Sequence, residues 1–233
     1  MDLIQADTDL FLWINQHHCT VADWVLWVAS QSWSWAIVLI AAILFTTLRH
    51  EPRKWWVVLI GIALCFLLAD RTSVFIKYLV CRPRPCHALE GVRMFRTSCG
   101  GDYGFVSSHA ANVFALAMFL TLRYRKSCKT KGCHYLFPLF IFIWAAVVGY
   151  SRPYLGKHYP GDVICGALVG LLLGLLVHLI IQLIGTLTHD TVKQKKLPSN
   201  ETKMQHLRLY RRAYLFQKMY LTGRLLRGGR SRF

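Results

Sequence analysis

The sequence predicts an all-α integral membrane helical bundle. It has five clear spans, six if the N-terminus also crosses, with N-terminal interfacial helices and a basic C-terminal tail helix. Three observations predict this. Hydrophobic residues make up 55% of the chain and charged residues only 17%, a balance ill suited to a soluble globule. Five uncharged apolar stretches recur, at residues 25–48, 55–69, 110–122, 135–150 and 163–187. The net charge of +17 is unevenly spread, with 20 of the 28 lysines and arginines in three clusters at 49–54, 123–131 and 193–232.

Taken in order, residues 1–23 mix Leu10, Phe11, Leu12, Trp13 and Ile14 with Asp9, Asn15, His17 and His18. This is too polar to span, and predicts one or two helices lying on the outer face. Asp2, Asp7 and Asp9 stand where a signal peptide would carry basic residues, so no cleavable signal is expected. A spanning helix needs about 20 residues. Residues 24–48 and 163–187 reach that length alone. The stretch 55–69 extends through Arg71 to 76, 110–122 starts back at 105, and 135–150 draws on 132–151. A loop over 78–103, rich in Pro, Gly, Cys and charge, separates the second span from the third. Gly166, Gly170 and Gly174 form a four-residue stripe that lets helix backbones approach closely, while His178 and Gln182 read as bundle residues held by hydrogen bonds.

The organisation that follows is 1–23 interfacial, 24–190 transmembrane and 191–233 a cytoplasmic tail. Alternating spans put all three basic clusters on one side, which is cytoplasmic by the positive-inside rule. The loops bearing the remaining cations then face outward. In the tail, residues 203–227 interleave Leu, Tyr, Phe and Met with Lys and Arg. That pattern fits a helix on anionic lipid headgroups better than one on nucleic acid. Pro198-Ser199-Asn200 supplies the turn and start signals before it.

Of the eight cysteines, Cys65 and Cys165 lie in apolar spans as small hydrophobes. Cys128 and Cys133-His134 fall short of a zinc set. Cys81, Cys86 and Cys99 fall on the outward side, where disulfides persist. Cys86 and Cys99 flank a 12-residue excursion and are the first candidate pair; Cys81 is a competing partner, and three free thiols are the other alternative.

The chemistry gathers in three blocks: Lys77-x6-Arg84-Pro85, Val106-Ser107-Ser108-His109 and Ser151-Arg152-x5-His158-x3-Asp162. Ionisable groups at the ends of membrane-length segments mark sites. Lys77, Arg84 and Arg152 suit phosphate oxygens, the arginines as planar forks. Ser107, Ser108 and the amides at a helix start favour the same anion. Asp162, one helical turn after His158, can reach its Nδ1–H and fix its tautomer. Arg82, Lys157 and His87 are second-tier candidates, with Arg82 read as added positive field or as an interfacial anchor. The chain lacks a carboxylate cluster for magnesium, so no metal and no cofactor are expected.

These blocks resemble the signature of the type 2 phosphatidic acid phosphatase superfamily, K-x6-RP, PSGH and SR-x5-H-x3-D, over roughly residues 50–185. The second block departs from it, with Val106 for proline and Ser108 for glycine. The resemblance implies an integral membrane phosphatase hydrolysing a lipid phosphate or diphosphate, with a polyprenyl diphosphate or a lipid A phosphate as the favoured substrates. It implies His158 as the nucleophile of a phosphohistidine intermediate and His109 as the general acid and base. It also implies a multi-pass protein of the plasma (inner) membrane, with its site on the periplasmic or extracellular face. Two alternatives remain open at this stage: a lipid phosphotransferase using the same phosphohistidine, and a non-catalytic lipid-binding or transport protein.

Overall fold

The structure is a computed structural model that describes residues 2–49, 55–125, 131–196, 204 and 207–215. Among the described residues up to Lys196 eight helices follow one another: α1 (Leu3–Gln16), α2 (Thr20–Ser30), α3 (Ser32–Arg49), α4 (Trp55–Val80), the single turn α5 (Pro85–Ala88), α6 (Ser108–Arg125), α7 (Lys131–Tyr154) and α8 (Pro160–Lys196). Met1–Gln182 form one compact unit and Leu183–Phe233 a second. In the second unit residues 207–215 are helical. Apart from residue 204, the rest of the expected tail helix lies outside the described residues, as do Cys128 and most of the basic clusters over 49–54 and 123–131.

Helix α6 occupies the centre of the first unit. It packs on α4 and α7, and Ala111, Leu116, Phe119 and Leu120 on it are fully buried. Against its other side lies the glycine stripe of α8. A Cβ at Gly170 would overlap the Ala111 carbonyl oxygen, and one at Gly174 the Ala115 carbonyl oxygen. The stripe therefore sets how near the two backbones come. Gly61 does the same on α4, where a Cβ would fall on the Phe119 ring. Around this centre, α4, α7 and α8 turn Phe75, Phe140, Leu168, Leu172 and Leu179 outward. An apolar exterior of that extent is stable facing lipid chains.

By length and composition three described helices can cross a membrane: Trp55–Val80, His134–Tyr154 and Pro160–Leu187. A fourth span forms if α2 and α3 count as one, and these meet at a 69° bend. The expected straight span over 24–48 is thus broken. The break falls in Ser30-Gln31-Ser32, where Gln31 is extended and the Ser30 and Ser34 hydroxyls bond to the carbonyls of Trp27 and Gln31. Local side-chain bonds of this kind compete with helix continuation. The expected span over 105–122 forms as α6, about 27 Å long, but with Ser108, His109 and Asn112 at one end and Arg123 and Arg125 at the other it is not among the helices apolar enough to cross by composition. Its neighbours explain this: a helix enclosed by protein need not be apolar all round.

The N-terminal helices are tied to the loop before α6 and to the end of α7. Asn15, 1% exposed, donates from Nδ2 to the carbonyls of Arg93 and Tyr154, both at 3.0 Å, and accepts from Arg93 N at 2.9 Å. Arg93 pairs bidentately with Asp23 at 2.9 and 2.6 Å, and the Tyr154 hydroxyl donates to the same carboxylate at 2.8 Å. The loop has its own clamps. Pro83 and Tyr103 form an antiparallel bridge, and Cys86 is disulfide-bonded to Cys99, with Cα atoms 5.9 Å apart.

Candidate active site

The site forms where four chain ends converge: the last turn of α4, the loop around α5, the start of α6, and the α7–α8 connection. Lys77 sits in the last turn of α4 and donates from Nζ to Val106 O and Ser108 Oγ, each at 2.6 Å. Arg84 caps α5, and Pro85 fixes the first helical position after it. Its backbone N donates to Asp102 O at 3.1 Å and its Nε to Gly101 O at 2.6 Å. The Arg84 guanidinium is thereby aimed across the gap, where Nη1 lies 3.1 Å from His158 Nε2.

That contact assigns the imidazole's tautomer. A guanidinium only donates, so Nε2 accepts and carries a lone pair, and the ring proton sits on Nδ1. Nδ1 faces Asp162 Oδ2 at 3.5 Å, longer than a well-formed hydrogen bond. The carboxylate is itself anchored: Oδ2 accepts from Tyr159 N at 3.0 Å, and Oδ1 from Arg82 Nη1 at 2.9 Å. The Asp162 carbonyl accepts from Ser107 N at 3.0 Å, joining the start of α6 to the start of α8. Space around the carboxylate is tight, since a Cβ at Gly104 would lie 3.0 Å from Oδ2.

Electrostatics follow from burial of several cations together. His158 is 2% exposed. Burial first, then the charges of Arg152, Arg84 and Lys77, hold its imidazole well below the ordinary histidine value, so it stays neutral. Burial also pulls Lys157 down to about 8, with Arg152 and Arg84 adding repulsion. It lowers Arg84 too, against the attraction of Asp162. Arg152 is 3% exposed, and its Nε has no hydrogen-bond partner among the described residues. A buried cationic donor left over in this way calls for an anion.

The structure brings Lys77, Arg84, Ser108, Arg152, His158 and Asp162 into one region. His109, on the first turn of α6, packs edge-on against Trp35 with ring centroids 5.1 Å apart. It lies within electrostatic reach of Arg152, His158, Lys157 and Lys77. Ser107 is fully buried, and its Oγ accepts from Ala110 N at 3.5 Å, a helix-starting contact. Sequence reasoning gave Asp7 no place in the site and Arg82 no partner. Arg82 bonds to Asp162 and also to Asp7 of α1, at 2.7 Å. Only the unusual acidity of the N-terminus hinted that the arginine had a second carboxylate to meet.

The chain is similar in sequence to curated proteins and in fold to solved structures. The chain is 34% identical over 175 residues to the lipid A 4'-phosphatase of Bacteroides thetaiotaomicron, covering 72% of this chain and 73% of that protein. It is 29% identical over 173 residues to the lipid A 4'-phosphatase of Porphyromonas gingivalis, covering 72% and 69%. Among solved structures, it superposes on a transmembrane PAP2-type phosphatidylglycerolphosphate phosphatase from Bacillus subtilis with a TM-score of 0.62. That match has 20% identity and covers 79% of this chain and 89% of the other. The family model for the PAP2 superfamily matches residues 55–185, a stretch containing all three sequence blocks and more than half of the chain, and the protein belongs to that superfamily.

Proposed function

We propose that this membrane phosphatase removes a phosphate from lipid A at the outward face of the inner membrane, through a phosphohistidine at His158. The observation that carries the reading is the orientation of His158: a buried, neutral imidazole whose Nε2 lone pair meets Arg84 while Nδ1 faces Asp162. An imidazole so held is an activated nucleophile. Two curated relatives named as lipid A 4'-phosphatases favour lipid A over a polyprenyl diphosphate.

The chemistry runs in two displacements. His158 Nε2 attacks phosphorus and the bond to the lipid oxygen breaks, that oxygen taking a proton from His109, which is held as an imidazolium once the negative phosphate occupies the cation cluster. Arg84, Arg152 and Lys77 neutralise the charge spreading over the equatorial oxygens. Asp162 steadies the imidazolium character that develops on His158. Water, losing its proton to His109, then attacks the phosphohistidine and releases phosphate with His158 restored. Side-chain cations do the charge neutralisation, so a chelator is expected to leave activity intact. The lipid A acyl chains stay in the membrane while the phosphorylated sugar reaches the loop over 78–103.

Phosphate release from purified protein in detergent tests this, with lipid A, undecaprenyl diphosphate, phosphatidate and a water-soluble phosphate ester as substrates. Lipid A should lead and the soluble ester trail. His158→Ala should abolish turnover, and Asp162→Asn should cost roughly two to four orders of magnitude. Full activity in His158→Ala would sink the mechanism; preference for undecaprenyl diphosphate would replace the substrate.

A further inference from the structure

Arg82 and Asp7 make a chain of contacts that the reaction scheme above does not use. The Arg82 guanidinium lies over the Tyr159 ring, 4.0 Å from its centroid. From there Nη1 reaches Asp162 Oδ1 at 2.9 Å and Nη2 reaches Asp7 Oδ2 at 2.7 Å. The other Asp7 oxygen accepts from Gly161 N at 2.7 Å. Asp7 thus grips the first turn of α8 and the arginine together. The fit is close, since a Cβ at Gly161 would lie 2.9 Å from Asp7 Oδ2.

The two oxygens of Asp162 have separate partners. Oδ1 belongs to Arg82, while Oδ2 takes Tyr159 N and faces His158 Nδ1. Rotation of the carboxylate would break the Arg82 bond and turn Oδ2 away from the imidazole. We propose that Asp7 and Arg82 are positioning residues that fix the Asp162 carboxylate against His158, making helix α1 part of the catalytic apparatus. This rests on the roles given above to His158 and Asp162. It goes beyond tethering, because the arginine is aimed at the oxygen opposite the nucleophile and is stacked and charge-paired in that direction. A tether from α1 already exists without it, in the Asn15 and Asp23 bonds to Arg93 and Tyr154.

A double-mutant cycle separates positioning from simple bracing. Steady-state kinetics would be measured on lipid A and on phosphatidate in mixed micelles, for wild type, Asp7→Asn, Arg82→Gln, Arg82→Lys and Asp162→Asn, and for the first two changes combined with Asp162→Asn. Charge-assisted bonds of this kind predict a kcat loss of about ten- to a hundredfold for Arg82→Gln, with KM little changed. Arg82→Lys should recover only part, lacking the planar fork. In the Asp162→Asn background, Arg82→Gln should cost less than about threefold further, the mark of residues acting as one unit. Equal losses in both backgrounds, or a wild-type kcat in Arg82→Gln, would overturn the proposal. If Arg82→Gln does not purify as folded protein, Asp7→Asn, which leaves the arginine in place, carries the same cycle and is judged by the same two outcomes. Wild-type activity in Asp162→Asn would overturn the underlying reading, and this inference with it. An impaired Asp162→Asn with additive losses overturns this inference alone.

Discussion

His158 illustrates how position sets the charge state of a single side chain. The ring is buried beside Arg84, Arg152 and Lys77, so adding a proton would place another cation among three. Burial and these charges both push the imidazole's pKa below 6.5, which keeps Nε2 available as an electron pair on the acid side of neutrality. The expected outcome is that His158 remains neutral through pH 6.5 in the free enzyme. Titration of the imidazole resonances in detergent, with His158 assigned by its loss in His158→Ala, checks this. An ordinary titration near 6.5 would show that the surrounding cations are screened. At this scale the site was legible in sequence because its groups sit in three short blocks with fixed spacing. The bridge from Asp7 through Arg82 to Asp162 was not. Its members are 75 and 80 residues apart, and no local pattern marks which of several acidic residues an arginine will meet.

At the scale of elements, close approach of α8 to α6 positions the His158–Asp162 turn beside the Ser107–His109 turn, since Gly166 faces the Ser107 carbonyl. Gly170→Val should therefore be costly. Its side chain would meet the Ala111 carbonyl oxygen, backbone that cannot swing aside, and overpacking costs about 1–3 kcal/mol. Thermal unfolding in detergent should show a lower midpoint for Gly170→Val. Gly185→Ala, whose Cβ meets no atom within 4 Å, should change little. Equal midpoints for Gly170→Val and wild type would mean the helices are not in contact along the stripe. The four-residue glycine repeat made this packing readable beforehand. The bend at Gln31 was hidden because the stretch over 24–48 is apolar apart from its serines, Gln31, Thr46 and Thr47, and hydropathy carries no direction. The polarity of α6 was equally hard to interpret, because a span surrounded by other helices and one facing lipid obey different rules.

For the molecule as a whole, the outward apolar faces of α4, α7 and α8 make it a multi-pass membrane protein, and the remaining question is which side the site faces. Lys77, Arg84, Ser108, His158 and Asp162 all lie at one end of the spans, opposite the end where α3 finishes at Arg49, α4 begins at Trp55 and α6 finishes at Arg125. By the positive-inside rule the site is expected on the outer side, where it would meet lipids already carried across the membrane. The loop over 78–103 supplies a place to test this. Asp102 is exposed, and its carbonyl holds Arg84 N at 3.1 Å, so it reports on the site without its side chain being part of it. Asp102→Cys, in a background whose only other cysteines are the bonded Cys86 and Cys99, should react with a membrane-impermeant maleimide in intact cells from which any outer membrane has been stripped. Mass spectrometry of the same non-reduced sample should recover the Cys86–Cys99 peptide pair, whose closure limits how far the loop can move from Arg84. Labelling that appears only after lysis would place the site on the cytoplasmic side, and the lipids it acts on would then be those newly made there.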